Sequence, residues 1–180
     1  TIGANLTSFV PLEHFNIDQI VPTEDDKLWR RQLVQGYVHD QGAAMQGGIG
    51  GHAGLFGNAN DVTKIMQLYL NGGKYGGKRY LEIQTLEKFN TCYYCDENVR
   101  RGVGFDKPQL GKSGPTCGCV SMSSFGHTGF TGTLAWADPE EEIVYVFLTN
   151  RTFPDVDNRK LIQSGIREKI QQVIYESIEF

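Results

Sequence analysis

No stretch of the 180-residue sequence approaches the roughly 20 consecutive apolar residues that a membrane-spanning helix needs. Nor is there a strong excess of one charge: 17 Lys and Arg stand against 21 Asp and Glu, a formal net charge of −4. That balance excludes the clustered cations of a nucleic-acid interface. The two densest cation pairs, Arg30-Arg31 and Arg100-Arg101, read as solvated surface charge. Internal repeats and low-complexity tracts are missing. So are an initiator Met and a leader: the chain opens on Thr1-Ile2-Gly3, as a processed or cut product does. An absent leader of that origin says nothing about location. What is present is ordinary globular composition, 39% hydrophobic, with one domain the default. A chain of this length buries roughly two thirds of its unfolded surface, enough for a core without metal or disulfide.

Residues 1–57 carry little sustained periodicity, being interrupted by Pro11, Pro22 and a glycine-rich run at 47–57. A short helix after Thr23 is one expectation, because Thr23 and Asp26 resemble a cap and an acid three positions on. The segment 30–38 reads equally as a short strand. So irregular a stretch implies a functional loop region, or one that packs on something outside this chain. Residues 60–71 predict a helix, with Val62, Ile65, Met66 and Tyr69 on one face, Asn58 or Asn60 as cap and Gly72-Gly73 as stop. Residues 82–90 predict a shorter helix with Ile83, Leu86 and Phe89 inward, and Gly102–Asp106 a short strand.

Residues 126–137 and 142–149 predict an antiparallel hairpin. Leu134 and Trp136 lie on one face, Thr133 and Ala135 on the other, with a turn at Asp138-Pro139-Glu140-Glu141. The second arm, Ile143–Leu148, is apolar on both faces and so is expected to be central and covered on both sides. A final helix is expected from Asp155 or Asp157, with Ile162, Ile166, Ile170, Val173 and Ile174 on its apolar stripe. The class is α+β: helices, then a small antiparallel sheet, then a helix lying on it. Three strands make a thin sheet for so apolar a second arm, a further sign of partner strands elsewhere.

Three groups of residues could carry chemistry. Phe125–Thr133 opens a strand yet is rich in glycine, which lets a ligand or another backbone come close; His127 and Thr128 flank that gap. The plainer reading is a bulged strand start with His127 hydrogen-bonded in the core. His39, Asp40 and His52 span a glycine-rich loop at a spacing that matches no standard zinc signature. They read as bracing the loop by hydrogen bonds, with metal binding as the minor alternative. Cys92-x-x-Cys95 and Cys117-x-Cys119 lie outside any βαβ pattern, so a thioredoxin-like redox role is unsupported. Disulfides or free thiols come first for them, a structural zinc site second.

The run His127-Thr128-Gly129 resembles the third motif, usually Lys-Thr-Gly, of the penicillin-recognising serine hydrolases: class C β-lactamases and penicillin-binding proteins. Gly36-Tyr37-Val38-His39-Asp40 and Gly47–Phe56 resemble one branch's long active-site loop. Phe125–Thr133, Trp136-Ala137-Asp138-Pro139 and Leu148-Thr149-Asn150-Arg151 resemble its closing hairpin. The similarity runs over nearly the whole chain, in order. It implies the C-terminal part of a β-lactamase/transpeptidase-like fold, with 1–57 an irregular active-site-loop region and 58–180 the remaining helices, antiparallel sheet and C-terminal helix of the same domain.

In that family a Ser-x-x-Lys serine attacks the carbonyl and a Tyr-x-Asn tyrosine assists proton transfer. No Ser here has Lys three positions on. Tyr69-Leu70-Asn71 has the letters of the second motif but sits late on a helix and after the loop, so Tyr69 reads as core. The nucleophile and tyrosine are expected upstream of Thr1. By the same resemblance His127 and Thr128 line the cleft and hold the substrate's acyl side or carboxylate. Gly129 keeps the strand edge clear, and the Phe130 N–H is one of two oxyanion donors. Without a nucleophile the chain alone is expected not to turn over. Histidine in place of the usual lysine removes a permanent charge, favouring an esterase or D-amino-acid peptidase over a β-lactamase.

The resemblance implies no cofactor. It implies a small acyl or peptidoglycan-derived substrate, and as partner the rest of the same polypeptide, in one branch a β-N-acetylglucosaminidase module. It also implies export to the periplasm or cell surface. Self-association is expected if apolar faces that meet a missing half are exposed. The competing expectation is a non-catalytic binding or scaffold module centred on a cysteine knot or zinc site. The two differ at the His127 strand: open on one side for the enzyme, buried for the scaffold.

Overall fold

The computed structural model describes residues 2–109 and 114–178. Its centre is a three-stranded antiparallel sheet of β5 (Phe125–Thr128), β6 (Leu134–Asp138) and β7 (Ile143–Phe147), in the order β5-β6-β7. Ahead of it come the hairpin β1 (Pro22–Asp26) and β2 (Gln32–Gln35), the short helix α1 (Gln41–Met45) and the helix α2 (Ala59–Leu70). The two-residue strands β3 (Lys74–Tyr75) and β4 (Lys78–Arg79) and the helix α3 (Ile83–Asn90) follow. Two helices, α4 (Lys160–Ser164) and α5 (Ile166–Glu176), come after the sheet. The α+β class expected from the sequence is the class observed.

The sheet is covered on both faces, which gives three layers. On one face Met66 of α2 packs with Phe125 and Ala137, joined by Val62, Tyr69, Phe105, Ala135 and Val144. On the other, Leu134, Trp136 and Tyr145 form a cluster that takes in Val120, Ile143, Phe147 and Ile174 of α5. The alternation read from Leu134 and Trp136 against Ala135 is therefore the real one. The α2 helix begins where expected, with the Asn58 side chain accepting from the Asp61 N–H at 2.8 Å, and stops at Gly72 and Gly73, both at positive φ.

Several expectations are corrected. The chain after Thr23 is the strand β1, not a helix; Asp26 caps the following turn, its carboxylate accepting from Leu28, Trp29 and Arg30 N–H groups at 2.9–3.1 Å. The alternative reading of 30–38 as a strand holds at β2. The long first arm at 126–137 is two strands, because the chain reverses at Gly129–Thr133: the Gly132 N–H donates to Gly129 O, and the Gly129 N–H to Thr133 O, each at 2.9 Å. That reversal makes β6 the central strand and leaves β7 at an edge. Gly102–Asp106 is a tight turn closed by the single bridge Arg101–Asp106, not a strand.

Helix α3 forms, but Ile83 and Phe89 are exposed rather than inward. The last helix starts at Lys160, not at Asp155 or Asp157, and Gly165 at φ 59° divides it. Its apolar stripe is not its packed face: Ile162, Ile166, Ile170 and Val173 are exposed, while Gln171 and Tyr175 are buried. Polar partners set that rotation. The Tyr175 hydroxyl donates to Asp138 Oδ2 at 2.7 Å, the Gln171 side-chain oxygen accepts from the Cys117 N–H at 3.0 Å, and the Tyr145 hydroxyl donates to Arg167 O at 3.0 Å.

Candidate active site

The β5 strand lies at one edge of the sheet, and its outer side is only half occupied. Asp106 and Gly126 exchange both backbone hydrogen bonds, at 2.8 and 3.2 Å. In an antiparallel ladder the outward-facing groups come every second residue, so the next ones after Gly126 belong to Thr128. Gly126 is required there: a Cβ would sit 2.3 Å from Ala135 O and from the Trp136 ring. His127 is 47% exposed at its side chain, and Phe130 is 62% exposed at the tip of the following turn. This end of the strand is open to solvent in the structure.

His127 Nδ1 lies 2.6 Å from Thr128 O, and a carbonyl can only accept, so Nδ1 is the donor. Nε2 lies 3.5 Å from Arg101 Nη2 and 3.9 Å from Asp106 Oδ2. Arg101 in turn donates from Nε to Asp106 Oδ1 at 2.8 Å. Behind this cluster, Lys107 is buried against the Phe125 ring and donates to Ser123 O at 2.9 Å and Asn90 Oδ1 at 3.3 Å. Burial, with Arg100 nearby adding repulsion, pushes its ammonium down to about 8. Lys107 thereby fixes the segment that carries Asp106 against β5.

The oxyanion candidate sits at the turn. Phe130 follows Gly129 in the Gly129–Gly132 reversal, and no described residue accepts a hydrogen bond from its N–H. A Cβ at Gly129 would come within 2.2 Å of Thr133 Oγ1, so glycine there permits closure of the turn. The carbonyls of the turn are anchored from behind. Thr131 O accepts from the Arg151 N–H at 2.9 Å and from Thr149 Oγ1 at 3.4 Å, and Gly132 O accepts from Arg167 Nη1 at 3.2 Å.

The three loop residues divide. His39 reaches this turn: its ring stacks on Phe130 with centroids 5.1 Å apart, and its Nε2 lies 3.0 Å from Glu24 Oε2. Burial lowers the basicity of His39, Glu24 partly opposes it, and Arg30 and Arg151 add to the lowering. Asp40 and His52 instead pair with each other, Nε2 to Oδ1 at 2.9 Å. Asp40 Oδ1 also accepts from the Ala43 N–H at 2.7 Å, which together with the His52 contact holds its carboxyl below the usual carboxylate range. That pair braces α1 and the glycine-rich loop, and no contact joins it to His127.

The cysteines are joined as Cys92–Cys95 and Cys117–Cys119. The zinc alternative is corrected by this: sulfurs bonded to each other offer no thiolates to a metal, and among the described residues no group of three or more His, Cys, Asp or Glu could hold one. Each bridge joins cysteines only two or three positions apart, so both are local and neither ties distant elements together.

Sequence reasoning missed Arg101, Asp106, Glu24, Arg30 and Arg151. Arg30 is the clearest miss. Taken for surface charge, it is a nearly buried fork that donates to Asp26 Oδ2 at 3.0 Å, Val38 O at 2.7 Å and His39 O at 2.6 Å. Arg31 beside it is exposed. The one available signal for Arg151 was its place at the end of the Leu148–Arg151 run.

The "Beta-lactamase" family model matches residues 11–165. A Salmonella enteritidis PT4 protein named "Putative D-alanyl-D-alanine carboxypeptidase" is 37% identical over 173 residues, covering 89% of this chain and 40% of that protein. An Escherichia coli K12 protein of the same name is 33% identical over 181 residues, covering 91% and 41%. The chain thus spans about two fifths of the length of these curated relatives. Among solved structures, a "Putative 6-aminohexanoate-dimer hydrolase from Bacillus anthracis" overlaps with a TM-score of 0.48 at 21% identity, over 71% of this chain and 30% of that one. A family VIII carboxylesterase gives 0.46 at 18%, over 68% and 33%. On the family model and the carboxypeptidase-named relatives, this chain belongs to the Beta-lactamase family.

Proposed function

We propose that this chain forms one wall of the acyl-binding cleft of a serine hydrolase, and that the attacking serine comes from another part of the polypeptide. The observation that carries the reading is the Phe130 N–H, held without an acceptor at an exposed turn whose carbonyls are anchored from behind, directly after the open His127-Thr128 edge. Such a donor suits the negative charge that develops on a carbonyl oxygen during acyl transfer. His127 and Thr128 hold the substrate beside it. The names of the relatives point to a substrate ending in D-alanyl-D-alanine, with simple esters as alternative acyl donors. The exported, cell-wall-facing location goes with that substrate.

The mechanism assigns this chain three tasks. The edge of β5 lines up the acyl group. The His127 imidazole, its Nδ1 proton committed to Thr128 O, offers Nε2 and the adjoining Arg101 charge toward the substrate's polar end. The Phe130 N–H stabilises the tetrahedral oxyanion. Phe130→Pro in the polypeptide that carries this chain deletes the N–H at a turn position where proline is tolerated. Turnover of a p-nitrophenyl ester and of a D-alanyl-D-alanine peptide should fall by roughly 10²–10³. Full turnover by that variant, or measurable turnover by the isolated chain, defeats the reading.

A further inference from the structure

Phe130 presents an anomaly. A large aromatic ring stands mostly exposed at a turn tip, yet it is gripped on the side of its own domain and by the loop region. His39 stacks on it at 5.1 Å with ring planes 30° apart, and the Arg151 guanidinium carbon lies 4.6 Å from its ring centre. Both gripping groups are anchored from behind. Arg151 is 7% exposed, and its Nη1 donates to Val156 O at 3.0 Å and Asn158 O at 3.1 Å. His39 is held through its backbone, its carbonyl accepting from Arg30 Nη2 at 2.6 Å, while its ring Nε2 lies 3.0 Å from Glu24 Oε2 without an aligned hydrogen bond. Arg30 is itself tied to Asp26, so the grip runs back into the β1–β2 hairpin.

The hairpin is fixed in turn to the segment after the sheet. Thr152 Oγ1 donates to Thr23 O at 2.8 Å, and the Asp25 N–H donates to Pro154 O at 3.0 Å. The result is a closed ring of contacts that starts at Arg151, passes through 152–154, β1, Arg30 and His39, and returns to Phe130. A ring of this kind fixes the direction of the Phe130 backbone more tightly than a four-residue turn does alone, because rotating that peptide swings the ring out of its stack.

We infer that His39 is a positioning residue for the Phe130 N–H, acting through the stacked ring, so that the irregular 2–57 region aims the oxyanion donor carried by the sheet. The inference rests on the oxyanion reading of Phe130 given above. His39 touches neither substrate nor reacting atoms in this role. What it supplies is a flat, mostly buried surface.

The test is kinetic and uses the polypeptide that carries this chain, with a p-nitrophenyl ester as probe. His39→Ala should lower kcat by about tenfold, a fraction of the 10²–10³ lost when a donor is deleted outright, and leave KM within about twofold. His39→Phe keeps a ring and drops the imidazole, and should restore kcat to within about threefold. Unchanged kcat in His39→Ala overturns the inference. A fall in His39→Phe as deep as in His39→Ala also overturns it, since the imidazole itself would then be doing the chemistry. Should His39→Ala not fold, Phe130→Leu probes the same stack from the other side. It keeps the N–H and is expected to lose about tenfold in kcat, and full kcat overturns the proposal. The Phe130→Pro variant separates the two levels: if it is crippled while His39→Ala is not, the positioning role falls and the oxyanion reading stands.

Discussion

Among the described residues, both hydrophobic clusters lie within 62–174, and nothing before residue 58 contributes to either. The region 2–57 is organised another way. Its buried apolar side chains are small, Pro11, Val34, Val38 and Ala43, and beside them it buries Thr23, Glu24 and Asp26. The Asp26 carboxylate serves three backbone N–H groups and Arg30, and Arg30 serves two carbonyls. Directional bonds can hold an irregular chain in one shape, whereas apolar contacts alone hold a volume. The sheet supplies the rigid edge, and the polar region supplies the aim of the groups that surround it.

This contrast can be broken from either side. The largest effect should come from Trp136→Ala. That ring is 1% exposed, and its N–H donates to Ser124 Oγ at 3.0 Å, so removing it should cost about 3–5 kcal/mol and unfold both regions together. A thermal melt followed by far-UV circular dichroism measures it; loss confined to one region would mean the sheet is not the common support. Asp26→Ala should come next, at about 3 kcal/mol, because it strands the nearly buried Arg30 charge together with three N–H groups. Its damage should be regional. Amide exchange should accelerate through 22–40 while β5–β7 keep their protection, and uniform acceleration would refute the division.

The smallest effect sharpens the comparison by pH. Backbone hydrogen bonds and Arg30 hold Asp26 well below the usual carboxylate range against the opposing cost of burial, and Asp40 is lowered by its backbone bond and by His52. A group whose folded value is depressed stabilises the fold fully above its unfolded value, near 3.8, and loses that contribution as pH falls toward the folded value. Acidification below about pH 4 should therefore loosen 22–57 before the sheet, read as early protease cleavage in that region. Simultaneous loss of both regions would show that they form one cooperative unit. Asp61, also lowered, anchors α2 to Leu6 and Thr7, so the extreme N-terminal turn should release in the same range.

Legibility followed the same boundary. In 58–178 the signals were periodic: α2 with its Asn58 cap, the inward Leu134 and Trp136, and the antiparallel partnering of β6 and β7 could all be read. Reading failed there at chain reversals, Gly129–Thr133 and Gly102–Asp106, and where polar groups competed for the packed face of the last helix. Gln171 and Tyr175, with Ile174 alone of the apolar stripe, face the core, and Cys117 and Asp138 take the two polar side chains. In 2–57 almost nothing could be read beyond irregularity. A carboxylate such as Asp26 fits a helix cap, a turn cap or an ion pair equally well on paper, and Arg30 differs from Arg31 only in where the fold points it.

The sequence by itself determined the class, the α2 helix, the alternation of the sheet and the words around His127-Thr128-Gly129, because those depend on spacing along the chain. Tertiary structure alone decided that β6 is central, that His39 leaves Asp40 and His52 to join Phe130, and that Arg101 and Asp106 stand beside His127. The meetings of His39 with Phe130 and of Arg101 and Asp106 with His127 join residues 20 or more positions apart. Their partners are chosen by how packed elements leave polar groups in reach of one another, which no local pattern encodes.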